Sequence, residues 1–245
     1  MENYKIKKYF KTSLILAIIF ILIFIIFLII LKYELEGEKR EDLPFYIDKI
    51  SLVSTADGLQ DENNTEFLWK GDLLQINDIY ITISKNENLQ NNILENVILE
   101  NFELTYPEKG NINFCRIIKN EDTSNNYIIE NLNQYKFIGG ESTSLEELTI
   151  SNQGGNIGLR IINNDLGTYE SNEEEINYDG RILNLENIKN DEIKFKIKFD
   201  ILLEIFDGNR YKTNVELELP VGDILTNGVE VIEYESINNL IYKRY

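Results

Sequence analysis

Hydrophobic and polar positions follow two different patterns along this chain, and the change between them falls near residue 32. Residues 13–31 run Ser-Leu-Ile-Leu-Ala-Ile-Ile-Phe-Ile-Leu-Ile-Phe-Ile-Ile-Phe-Leu-Ile-Ile-Leu with no charge, Gly or Pro. At about 1.5 Å per residue this run is roughly 28 Å long as a helix, close to the roughly 30 Å of a bilayer's hydrocarbon core. A helix packed on a soluble domain would show a polar face, and this one has none. The pattern predicts a transmembrane helix over 13–31, preceded by a basic tail (1–12) and followed by a charged juxtamembrane linker (32–44).

Beyond the linker the period changes to two. Alternation predicts strands over Phe45–Thr55, Asp72–Ser84, Asn96–Tyr106, Ile112–Ile118 and Tyr127–Phe137, then over Leu148–Asn152, Asn156–Asn163, Arg181–Leu185, Glu192–Phe206 and Tyr211–Leu219. Ala56-Asp57-Gly58 reads as the turn that ends the first strand. Pro107-Glu108-Lys109-Gly110 reads as a turn in which Pro presets φ and Gly supplies a positive φ. In the clearest segment Ile193, Phe195, Ile197, Phe199, Ile201, Leu203 and Ile205 alternate with mostly charged residues. Asp207-Gly208-Asn209-Arg210 then closes a hairpin, and Pro220 ends the return strand. So long a strand is expected to bend or bulge, with Asp200 the candidate position, and to pass between sheets. Val229–Ile232 and Leu240-Ile241 predict a last edge strand.

Many short strands with turn signals between them predict an all-β ectodomain of β-sandwich type. Each half has a long alternating segment, a turn and another strand, and Gly139-Gly140-Glu141-Ser142-Thr143-Ser144 offers a joint. The expectation is therefore two tandem immunoglobulin-like sandwiches, 45–140 and 141–245.

Flanking charge sets the predicted orientation. Lys5, Lys7, Lys8 and Lys11 precede the apolar run, against Lys32, Lys39 and Arg40 after it, so the N-terminus is read as cytoplasmic and the C-terminal domain as extracytoplasmic. A cleaved signal peptide is the rival. Its apolar core would be about 7 to 15 residues ending in small residues, whereas this run is longer and ends Ile-Ile-Leu-Lys-Tyr. No Cys follows the run for lipidation. The Gly-Phe-type cleavage site and nearby Glu that mark pilin-like subunits are also absent. The wealth of Ile, Asn, Lys, Glu and Tyr suggests an AT-rich bacterial genome and hence a plasma membrane.

Charge and composition then exclude chemistry. The net charge is −18, from 24 basic and 42 acidic residues, and it opposes binding to nucleic acid, an anionic membrane or an anionic wall polymer. There is no His, which removes Ser-His-Asp and Cys-His hydrolases and His-based zinc sites. The single Cys115 permits no intramolecular disulfide, and its strand context suits a small buried residue. No Walker loop or Gly-x-Gly-x-x-Gly occurs.

Acidic loops are the remaining candidates for chemistry. Asp57, Asp61 and Glu62; Glu173, Glu174, Glu175 and Asp179; and Asp207 with Asn209 are candidate calcium ligands, although none fits an EF-hand loop and solvated loops have the same composition. The expected function is that of a non-catalytic binding or assembly module. It would be held in the bilayer by residues 13–31 and engage an unidentified envelope protein. A cell-envelope hydrolase using two carboxylates is the alternative.

Overall fold

The computed structural model describes residues 2–31, 37–89, 91–116, 134–142, 147–173, 181–234, 237 and 239–245. An apolar helix, α1 (Glu2–Ile30), comes first. It begins earlier than the apolar run because the preceding residues contain nothing that breaks a helix. Residues 11–30 have a mean hydropathy of 3.6 and none is buried against the rest of the chain. The helix is thus long and apolar enough to cross a membrane, whether as an anchor or as a signal sequence.

Eleven strands follow among the described residues: β1 (Phe45–Gln60), β2 (Trp69–Lys85), β3 (Leu94–Thr105), β4 (Asn111–Arg116), β5 (Gln134–Gly139), β6 (Leu148–Ile150), β7 (Gly155–Ser171), β8 (Phe195–Ile205), β9 (Arg210–Leu219), β10 (Val229–Tyr234) and β11 (Lys243–Arg244). They form a five-stranded sheet in the order β10-β1-β2-β7-β4 and a six-stranded sheet in the order β11-β9-β8-β3-β5-β6. Among the described strands only β5 and β6 pair in parallel. The inward residues of both sheets, among them Leu52, Ile81 and Leu159 on one and Leu99, Phe199 and Leu217 on the other, make one continuous apolar core.

This layout replaces the division at residue 140. β2 lies beside β7 from Trp69↔Ser171 to Ile83↔Gly155, and β3 lies beside β8, so each sheet mixes strands from both halves. Gly139 sits inside the six-stranded sheet opposite Ile150 and is no joint between domains. Non-local pairing of this kind leaves no mark on local alternation.

Other elements differ from the alternation as well. β1 runs straight through Ala56-Asp57-Gly58, with Gly58 opposite Leu73, because Ala56 is buried and β2 continues alongside. Arg181–Leu185 is a short helix, α2, in which the neighbouring Ile182 and Leu183 are both buried. A further turn, α3 (Asn190–Ile193), precedes β8. With α4 (Ile224–Asn227), these helices cover a satellite core of Ala56, Trp69, Leu73, Leu166, Ile188 and Ile193 over the far end of β1, β2 and β7. The irregularity expected at Asp200 exists, but it is carried by the facing strand. β3 shifts register between Glu100 and Glu103, with Asn101 at φ 55°, while β8 stays in one sheet. Residues 127–133 of the predicted fifth strand lie outside the described residues.

A polar stripe separates the two cores. Ser54, Gln75, Asn77 and Asn163 are all fully buried on the inner face of the five-stranded sheet. Ser54 Oγ donates to Asn77 Oδ1 at 2.7 Å and accepts from the Val221 N–H at 2.9 Å, and Gln75 Nε2 donates to the same Asn77 oxygen at 3.2 Å. Asn163 Nδ2 donates to the Lys109 carbonyl at 3.1 Å, which ties down the β3–β4 turn. Gly110 in that turn has φ 97°, and a Cβ there would overlap Asn163 Oδ1. Gly110→Ala is accordingly expected to cost about 1–3 kcal/mol in urea unfolding, from left-handed strain plus overpacking.

Candidate functional site

The acidic loop residues are spread over the molecule, and two of those described, Asp61 and Asp207, serve their own turns. Asp57 Oδ1 accepts from the Gly58 N–H at 2.8 Å. Asp61 Oδ1 accepts from the Asn63 N–H at 2.9 Å, and Glu62 is exposed. Asp207 accepts from both the backbone N–H and the side-chain amide of Asn209, at 2.9 and 2.8 Å, which shapes the β8–β9 hairpin. Asp57 lies toward the end of β1 that Trp69 adjoins, and Asp207 lies at the opposite end of the body, where Tyr211 begins its pairing with Arg244. Glu173 is exposed, its N–H bonded to Ser171 Oγ. Glu174, Glu175 and Asp179 lie outside the described residues. Among the described residues no three acidic, Cys or His side chains converge as a metal site would require.

One cleft, of about 740 Å³, opens where β2 ends and β7 begins. It is lined by Tyr46, Thr82, Ser84, Lys85, Glu87 and Asn156, among others, and Glu87 is the sole carboxylate among the described residues that line it. Lys85 Nζ reaches Gln153 Oε1 at 2.6 Å across its floor. The cleft is polar, with no pair of acids facing each other.

Charge is best organised on the outer faces of the sheets. On the five-stranded sheet Arg160 grips Asp78 with two bonds, Nε to Oδ1 at 2.7 Å and Nη2 to Oδ2 at 2.8 Å. The hydrogen bonds to Asp78 outweigh burial and raise the guanidinium above its ordinary range. Cys115 pairs with Arg160 in register and is fully buried, and burial pushes its thiol up, away from reactivity. On the six-stranded sheet Lys212 lies 3.1 Å from Glu100 and 3.2 Å from Asp200. Burial alone would raise the Asp200 carboxyl. Hydrogen bonds from Asn101, Asn214 and Lys212 instead hold it below the usual carboxylate range.

The most open feature is an edge. β10 pairs with β1 from Ile50↔Tyr234 to Thr55↔Val229, and no described strand lies on its other side. Val229, Val231 and Ile232 on it are 48, 60 and 39 % exposed. Lys49 forms an ion pair with Glu233 at one end of the strand. The alternation of Val229–Ile232 marks this edge strand, whereas its exposure depends on which strands lie beside it.

Fold and surface together define a two-sheet β body behind an apolar N-terminal helix. No protein-family model, curated protein or solved structure matches the chain.

Proposed function

We propose that this is a single-pass membrane protein whose extracytoplasmic β body, of immunoglobulin-like sandwich type, binds a partner polypeptide in the cell envelope. The N-terminus would lie in the cytoplasm and α1 would remain uncleaved in the plasma membrane. The observation that carries the binding reading is the β10 edge. It combines unpaired main-chain groups with exposed Val229, Val231 and Ile232, the combination that strand addition uses for affinity and side-chain selection. A net charge of −18 opposes pairing with a second copy. Glu230 and Glu233 on the edge favour a partner strand with Lys or Arg among its apolar residues. A hydrolase would need two converging acids, and the cleft's single carboxylate favours binding over that alternative.

The test is in-cell crosslinking from a photoreactive residue at position 231, with position 196 on the six-stranded sheet as the control. A discrete adduct from 231 alone is expected. Val231→Lys, read through a crosslinker at 229, should cut its yield about tenfold by placing charge in the apolar strip. Equal yields from 231 and 196, or indifference to Val231→Lys, would remove the edge from the account.

A further inference from the structure

The chain leaves α1 and enters the β body at one end of that body, and this end differs chemically from the rest. Glu38 exchanges both backbone hydrogen bonds with Tyr242, at 2.6 and 3.0 Å, and its carboxylate pairs with Arg244 at 2.8 Å. From Ile30 to Glu38 the backbone can span at most about 28 Å even if fully extended. β1, with its 16 residues, is roughly 50 Å long. The tether is therefore short relative to the body, and it holds this end near the bilayer surface wherever α1 is embedded.

The turns gathered here expose apolar and aromatic side chains. Phe206 at the tip of the β8–β9 hairpin is 73 % exposed, and its N–H donates to the carbonyl of the exposed Ile93. Leu89 and Ile241 are also exposed, and Tyr245 is 69 % exposed with Lys212 over its ring at 4.4 Å. Basic residues collect at the same end: Lys39, Arg40, Lys85, Arg210, Lys243 and Arg244. Among the acids facing them, Glu38 and Glu204 are buried and paired with Arg244 and Arg210, and Asp48 pairs with Arg40 at 2.7 Å, while Glu41, Asp42, Glu87, Glu95 and Asp207 are exposed. These named groups are six basic and eight acidic side chains, a small share of the chain's net charge of −18. Most of the charge that would repel a membrane resides elsewhere.

We propose that this end of the β body rests in the headgroup layer of the bilayer that α1 crosses. Phe206, Ile241 and Tyr245 sit at the interface, as aromatic and apolar side chains do at membrane boundaries, and the exposed Lys243 reaches the phosphates by extending its charged head. The docking is end-on, so the satellite core points away from the membrane. The proposal rests on the reading of α1 as a retained anchor.

The chain's single tryptophan, Trp69, sits at the opposite end and serves as an internal reference. The experiment places the full chain in phosphatidylcholine–phosphatidylglycerol nanodiscs carrying either a nitroxide on the headgroup or bromine on the acyl chains. Tryptophan emission is then compared among wild type, Phe206→Trp and Phe24→Trp. The added emission of Phe206→Trp is expected to lose most of its intensity to the headgroup nitroxide while Trp69 in the wild type keeps its own. Quenching of Phe24→Trp by acyl bromine with none of Phe206→Trp by the nitroxide would overturn the docking and leave the anchor standing. Equal quenching of Trp69 and Phe206→Trp would overturn the end-on arrangement. No quenching of Phe24→Trp would remove the anchor and the docking together. An unchanged Trp69 emission maximum without quencher shows that each variant is folded.

Discussion

Tyr242→Ala is expected to lose about 3–5 kcal/mol of stability, the cost of emptying a fully buried aromatic site. Tyr242 is 1 % exposed and packs into the main core. Its hydroxyl accepts the Ile47 N–H at 2.9 Å, and its backbone bridges Glu38. One residue thus joins the segment that follows α1, the start of β1 and the last described segment. Urea unfolding of the full chain in micelles measures the loss, and a cost below about 1 kcal/mol would mean that residue 242 is not packed as described. The phenol adds a pH signature. Burial pushes it up to about 12, although the Ile47 N–H and nearby charge on Arg40 pull the other way. An acid whose pKa is raised by folding stabilises the native state fully below the unfolded value of about 10, and that stabilisation is lost as pH rises toward 12. Tyr80 and Tyr211 are raised by burial too, so Tyr242→Phe should shrink the alkaline loss without abolishing it.

Asp78→Ala is the second large effect, about 3–5 kcal/mol, because it leaves the Arg160 guanidinium in a mostly buried site without its carboxylate. The side chains of Arg160 and Asp78 are only 19 and 11 % exposed. The cost belongs to the orphaned charge more than to the pair, so Asp78→Leu combined with Arg160→Met should recover most of the loss. A double-mutant cycle in urea measures this. Losses that simply add would show that the two groups act independently and that the two short bonds do little in solution.

The elements that were legible in the sequence are those whose signal is local. α1 announces itself by nineteen or so consecutive uncharged positions, in line with the span that a bilayer requires. β9, and β8 as far as Ile201, show a period of two because one face meets the core and the other is open to water. The β3–β4 turn was readable because Gly110 takes the positive φ that its position after Pro107 implies. Ala56-Asp57-Gly58 misled for the opposite reason. Its composition favours a turn, but continuous pairing with β2 and burial of Ala56 outweigh that preference. Arg181–Leu185 is too short for periodicity to separate strand from helix. The two-domain division failed because which strand lies beside which is decided by long-range packing.

The candidate site was legible only in outline. Acidic residues in loops suggest cation ligands by type, but Asp61 and Asp207 are where turn geometry wants them, with their oxygens turned onto nearby amides. Net charge was similarly a poor guide to local charge. A value of −18 argues against any approach to an anionic surface, yet Lys243 and Arg244 fold back beside Glu38, where the linker enters the body. The buried amides Gln75, Asn77 and Asn163 hold inward strand positions that polarity would assign to solvent. Gln75 bonds to Asn77 itself, while the partners of Asn77 and Asn163, Ser54 and the Lys109 carbonyl, are far away in sequence.

The central claim is that α1 is a retained anchor with the β body outside the cell. The most direct measurement is protease shaving of intact cells expressing the chain with one epitope tag at each end. The account predicts loss of the C-terminal tag, while the N-terminal tag survives in the membrane fraction on a short fragment containing α1. A protected C-terminal tag would reverse the topology, and a C-terminally tagged product free in the medium without α1 would make the helix a cleaved signal.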